Sequence, residues 1–174
     1  LSPRFLLINQ PRYFTSKDDP QLAERLAYFI WKSNPDQKFI KYSKRFKKDN
    51  AFLSKGIDWM LRQKKFTNFI ESFTSQWLHF KNMDAMPPGS RNYRKYYEDG
   101  LKDLYRQETF LYMTHMFRNN RPVRELFDSD YAFLNKKLAA VYDVKGVESE
   151  ALTLVTLPKD SLRGGLLGQG SFLT

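Results

Sequence analysis

The chain has 174 residues, no cysteine, 41 % hydrophobic and 16 % aromatic side chains, and a formal net charge of +10. That length suits one domain or one domain with part of a neighbour, and the apolar content is ample for a core and too high for a disordered chain. The absence of cysteine excludes disulfides, zinc–thiolate and iron–sulfur sites, a cysteine nucleophile and covalent haem attachment within this stretch, and no apolar run approaches the roughly 18 residues of a membrane-spanning helix.

Asp19-Pro20 has the form of a helix start, an N-cap acceptor followed by a proline at the first helical position. Leu22, Leu26, Phe29 and Ile30, with Ala23, Ala27 and Trp31 beside them, then recur at helical spacing, and Pro35 sets an end near Ser33. Asp36 to about Lys48 predicts a second, very basic helix with Phe39, Ile40, Tyr42 and Phe46 as its apolar side. Asn50 heads a third, with Leu53, Ile57, Met60 and Leu61 as its stripe. A fourth runs from about Phe66 to Phe80 with Phe66, Phe69, Ile70, Phe73, Trp77 and Phe80 expected inside. Met86-Pro87-Pro88-Gly89-Ser90 is a break.

A long helix follows, roughly Arg94 to Arg118, then a short helical turn at Val123–Phe127. Asp130 reads as the N-cap of a helix from Tyr131 to Tyr142. Leu152 to Leu157 alternates and is β-branched, which predicts a short extended segment ending at Pro158. The fold class is mainly α, an orthogonal or irregular multi-helix bundle with that extended segment near the C-terminus. The expected division is a helical domain over 1–127 and, over 128–174, the N-terminal part of a second domain packed on the first.

Charge is uneven: residues 1–65 hold 15 Lys and Arg against 6 Asp and Glu, whereas the rest is nearly balanced. Lys38, Lys41, Lys44, Arg45, Lys47 and Lys48 make a basic patch that suits an acidic partner domain or anionic polymer. Lysines interleaved with Phe39, Tyr42 and Phe46 also fit nucleic acid, although an amphipathic helix lying on a core gives the same pattern and is preferred.

Tyr97, Leu101, Leu104, Glu108, Leu111 and His115 share one stripe of the long helix. A carboxylate and an imidazole on a core-facing stripe are costly unless partnered. Glu108 and His115 are therefore either a buried acid or base and a proton carrier, or structural groups. The structural reading pairs Glu108 with Arg25 of the first helix and gives His115 a backbone carbonyl. It is the preferred one. His79, with Met83 four residues on, is a weak candidate haem or metal ligand. Asp128 and Asp130 are too few for a cation site. Arg163-Gly164-Gly165 and Gly168-Gln169-Gly170 lack the residues that make a phosphate loop, and predict a turn into a helix. No metal site and no cofactor is assigned within the segment.

Several segments resemble a known family. Ser2-Pro3-Arg4-Phe5-Leu6 with Leu22-Ala23-Glu24-Arg25-Leu26-Ala27-Tyr28-Phe29-Ile30-Trp31 looks like the opening signature of domain of unknown function 1592. Phe73-Thr74-Ser75-Gln76-Trp77-Leu78 and Glu108-Thr109-Phe110 resemble later elements of it. Asp130 to Ala139 together with Leu162 to Thr174 is similar to the opening of a companion, domain of unknown function 1588, with Tyr142-Asp143 where Tyr-Gly is usual. The resemblance implies a large planctomycete-type polypeptide, exported to the periplasm or cell envelope. It implies a c-type cytochrome module, hence haem c, elsewhere in that polypeptide, other domains of the same chain as partners, and a scaffold role or the substrate pocket of a haem-dependent redox enzyme. It supplies no catalytic residue. Both chain ends read as cut from something longer.

Overall fold

Helix dominates the computed structural model, which describes residues 22–46, 50–80, 100–161 and 163–173. The Asp19-Pro20 start, Lys47, Lys48, Met83, the 86–90 break, Tyr97 and the start of the long helix lie outside the described residues. Among those described, no helix is long and apolar enough to cross a membrane. The fold is mainly α, and contacts divide the chain into two compact units, Leu1–Met60 and Leu61–Thr174.

In the first unit, α1 (Leu22–Trp31) buries Ala23, Ala27, Ile30 and Trp31. Phe29, expected on that face, is 66 % exposed, because the two alanines and Trp31 centre the contact one side further round. Next comes α2 (Gln37–Ser43), begun by Asp36, whose Oδ1 accepts from the Phe39 N–H at 2.8 Å. Replacing Asp36 with alanine removes this cap and is expected to cost about 1 kcal/mol in urea unfolding followed by circular dichroism. α2 is shorter than its charge run implies. Its end is a pair of turns, Arg45 N–H to the Tyr42 carbonyl and Phe46 N–H to that of Ser43, which return Phe46 to the core.

α3 (Asn50–Arg62) carries Met60 and Gly56 into the same core. A Cβ on Gly56 would stand 2.8 Å from the Phe46 ring, so this helix accepts a glycine to let an aromatic approach. Trp31 is fully buried, 5.3 Å from Phe39 and 5.6 Å from Trp59 between ring centroids. Its indole N–H donates to the Met60 carbonyl at 3.0 Å, which satisfies the one polar atom a buried tryptophan carries.

The second unit opens with a 3₁₀ turn (Lys64–Phe66) and α4 (Thr67–Trp77). Phe66, Ile70 and Phe80 are buried as expected. Phe73 and Trp77 are instead 37 % and 46 % exposed, and Thr74 takes the interior place. Four rings form a stacked row, Phe66–Phe69–Phe73–Trp77, with centroids 5.7, 5.5 and 5.6 Å apart, and Phe117 stands edge-on to Phe66, Phe69 and Phe73. That row gains ring–ring contact without leaving solvent entirely.

α5 (Leu101–Arg118) packs on α4 and on a two-stranded sheet. Its buried face is Leu101, Tyr105, Glu108, Thr109, Tyr112, Met113 and Met116. Leu111, placed on the inner stripe by its spacing, is 36 % exposed: at 100° per residue it lies about 80° behind Leu101, off the edge of the contact. A 3₁₀ turn (Val123–Leu126) precedes β1 (Tyr131–Leu134).

The expected helix from Tyr131 is therefore corrected in its first third. Tyr131 to Leu134 pair antiparallel with β2 (Thr153–Thr156), Tyr131 opposite Thr156 and Leu134 opposite Thr153. α6 (Lys136–Tyr142) starts only after Asn135, whose side chain accepts from the Leu138 N–H at 2.9 Å. Asp130 is not the cap; its carbonyl receives the Leu157 N–H. Leu101 and Tyr105 share one core with Ala132, Leu134, Leu138, Ala139, Tyr142, Val144 and Leu157. A last 3₁₀ turn (Leu166–Gly168) leads into α7 (Gly170–Leu173), which lies against α5.

Candidate functional site

α5 turns Glu108 into the second unit, where the residue is 0 % exposed. The Tyr142 hydroxyl, from the end of α6, donates to its Oε2 at 2.6 Å and accepts the Gly170 N–H at 2.7 Å. Among the described residues, Glu108 Oε1 has no hydrogen-bond partner. Burial pushes the carboxyl up to about 8, against the opposing pull of the Tyr142 bond and the Arg163 charge. The same burial, reinforced by the neighbouring carboxylate, raises the Tyr142 phenol above its ordinary range.

Arg163 lies over the Tyr142 ring at 4.7 Å and donates from Nη1 to the Gly168 carbonyl at 3.3 Å. On the next turn of contact, the Thr109 hydroxyl is 2.7 Å from Gln169 Oε1 and 2.7 Å from Ser171 Oγ. Tyr105 stacks on Tyr142 with centroids 6.4 Å apart, and a Cβ on Gly170 would be 2.2 Å from the Tyr105 ring. The 163–171 segment is thus held to α5 through one buried carboxyl, two tyrosines and a threonine. The glycines of Arg163-Gly164-Gly165 serve close passage: a Cβ on Gly164 would lie 2.4 Å from the Ser129 carbonyl oxygen. Gly165 has φ +69°, and a Cβ there would lie 2.6 Å from the Phe127 backbone.

The partners of Glu108 named above, Tyr142 and Arg163, belong to its own unit, whereas Arg25 sits half-buried on α1 of the other. His115, also half-buried, packs 5.0 Å from Tyr131 and 5.8 Å from Phe133. Its polar partner is the Asn119 side-chain amide, 3.2 Å from Nδ1, in place of the backbone carbonyl expected from the sequence. Burial, then Arg121, lowers its pKa, so the ring is neutral near pH 7. Among the described residues, the contacts named for Glu108 and for His115 do not overlap.

Beside His115 lies a second polar knot that periodicity did not reveal. Glu125 Oε2 accepts from Arg121 Nε at 2.8 Å and from the Tyr131 hydroxyl at 2.9 Å, and the Tyr112 hydroxyl donates to the Glu125 carbonyl. The Arg121 bond holds the Glu125 carboxyl below its usual range despite burial. Asp128 and Asp130 line a polar hollow of about 460 Å³ with Glu125, Ser129, Arg121 and Arg124. Two guanidiniums in that lining work against a cation. His79 is exposed just past α4, with φ 52°, and joins Trp77, Leu126, Phe127, Leu166 and Phe172 around an apolar groove of about 380 Å³. Lys38, Lys41, Lys44 and Arg45 are all exposed on or just after α2.

Together the fold and this node define a mainly α chain whose second unit is tied together by the 163–171 segment. The chain belongs to the family described as PSD4, protein of unknown function (DUF1592), whose model matches residues 18–144. No curated protein and no solved structure matches the chain.

Proposed function

We propose that the chain is a helical scaffold and interaction module of a larger, exported polypeptide that carries a c-type cytochrome domain and so binds haem c outside this segment. The observation that carries the scaffold role is the engagement of Glu108: its Tyr142 bond and the Arg163 charge tie the 163–171 segment to α5. His115 is likewise engaged, between two rings and Asn119. The apolar groove beside Trp77 and Phe127 supports the interaction role, since patches of that kind are commonly covered by another surface. Neighbouring domains of the same polypeptide are the expected partners, and the cell envelope the expected location.

The rival reading makes the segment a substrate pocket of a haem-dependent redox enzyme, and it draws on the raised pKa of Glu108, a property common among acid–base groups. A spectrum and mass of the full-length native protein test the haem link directly. In that protein Glu108→Gln, which keeps the Tyr142 bond, is expected to leave any haem-linked turnover within about twofold, because the effect of a scaffold group on the barrier is small. Loss of turnover with folding intact would favour the pocket.

A further inference from the structure

The first unit holds a hollow that neither the family nor the reading above assigns. It encloses about 340 Å³ and is lined by Lys38, Tyr42, Lys55 and Trp59. Two helices supply it with the same pair of residue types: Lys38 and Tyr42 are four apart on α2, and Lys55 and Trp59 are four apart on α3, so each pair shares a helix face. Ring contacts fix how the helices meet. Phe39 stacks on Trp59 with centroids 6.0 Å apart and planes 11° from parallel, and Tyr42 lies 6.5 Å from Phe52. A Cβ on Gly56 would be 3.0 Å from the Tyr42 ring. The helices therefore run antiparallel along this seam, and both lysine–aromatic pairs border the one hollow.

The aromatic pair is preorganised. Trp59 is clamped by Phe39 and by Trp31, and Tyr42 by Phe46 and Phe52, so neither ring must be ordered when a ligand arrives. Both lysines are exposed on flexible stems, while both rings are half-buried. Two ammonium groups and two fixed rings around one hollow are suited to a molecule with a flat ring and an anionic group. The ring gains stacking area on the indole or phenol, and the anion meets two charges that pure stacking would not need. Lys41, Lys44 and Arg45 add a positive field that raises the local concentration of anions. The volume is at the small end of ligand pockets, roughly 300–1,000 Å³, which fits one or two rings and a single charged group.

We infer that the α2–α3 hollow is a binding site for a small ring-bearing anion, an aromatic carboxylate or a phosphate monoester, held between Lys38 and Lys55 against Trp59 and Tyr42. Isothermal titration of the chain at low salt, with adenosine monophosphate and para-hydroxybenzoate as probes, distinguishes the two sources of that chemistry. Inorganic phosphate and adenosine serve as charge-only and ring-only controls. At least one ring-bearing anion is expected to bind about tenfold more tightly than either control, and Lys38→Ala/Lys55→Ala to lose about that factor with its circular dichroism unchanged. Trp59→Phe, which keeps a ring in the core, is expected to weaken binding less than the double lysine variant. Equal binding of phosphate alone, an unaffected lysine variant, or no binding by either probe would overturn the assignment.

Discussion

Replacing Tyr142 with phenylalanine is expected to destabilise the second unit by about 1–3 kcal/mol, since it takes the hydroxyl donor away from a buried carboxyl. The hydroxyl alone is lost. The stack on Tyr105 and the Arg163 contact with the ring face both survive in phenylalanine. What disappears is the donor to Glu108 Oε2 and the acceptor for the Gly170 N–H. Because Oε1 already lacks a hydrogen-bond partner among the described residues, the carboxyl then has none there. Urea unfolding followed by circular dichroism measures the loss. Amide exchange at Gly170 locates it, and is expected to speed up more than exchange at Leu138, whose bond to Asn135 is untouched. Wild-type-like exchange at Gly170 would mean that the segment is held elsewhere.

Helical periodicity brought Glu108 to notice because a residue's face follows from spacing alone. Its partners did not follow. Tyr142 is 34 residues away and reaches Glu108 only because α6 packs beside α5, and Arg163 arrives through a glycine passage with no periodic signal. Arg25 belongs to the other unit, and the groups named around Glu108, Tyr142 on α6 and Arg163 beyond it, belong to its own. The segments that carry the family resemblance are separate in the sequence. Glu108-Thr109, Tyr142, Arg163-Gly164-Gly165 and Gln169-Gly170-Ser171 turn out to be one contact set.

Tyr131-Ala132-Phe133-Leu134 shows another limit. A four-residue apolar run is ambiguous between helix and strand, and the decision lay with Thr153–Thr156, some twenty residues later, which offered a partner strand. The alternation of those later residues was legible; what they would pair with was not. Size and spacing point Phe73 and Trp77 inward, yet the helix face has room for Ile70 and Thr74, and the larger rings stack along its rim. In the first unit, the α2 lysines were legible as a charged face, while Lys55 and Trp59, which complete the hollow with Lys38 and Tyr42, became visible only through the antiparallel register.

Glu108→Gln is expected to change the pH dependence of stability. In the folded chain burial holds the carboxyl proton up to about 8, against an ordinary 4.5 when unfolded. Below about 4.5 both states carry the proton and the contribution is fully present. As pH rises, the unfolded state releases it first, so wild-type stability falls by up to ~1.4 kcal/mol per pH unit until the folded carboxyl also ionises near 8, and is flat beyond. Glutamine fills the same space, accepts the Tyr142 hydroxyl and has no proton to lose, so its profile should lack that decline. Other groups bend both profiles alike: the lowered pKa values of Glu125 and His115 mean that their contributions are lost as pH falls. Subtracting one unfolding series from the other, across pH 4 to 9, therefore isolates Glu108. The difference should favour glutamine increasingly towards alkaline pH, with Arg163 offsetting part of the cost once the carboxylate is charged. Parallel profiles would show that Glu108 titrates alike in both states and that the proton is not what closes the segment over α5.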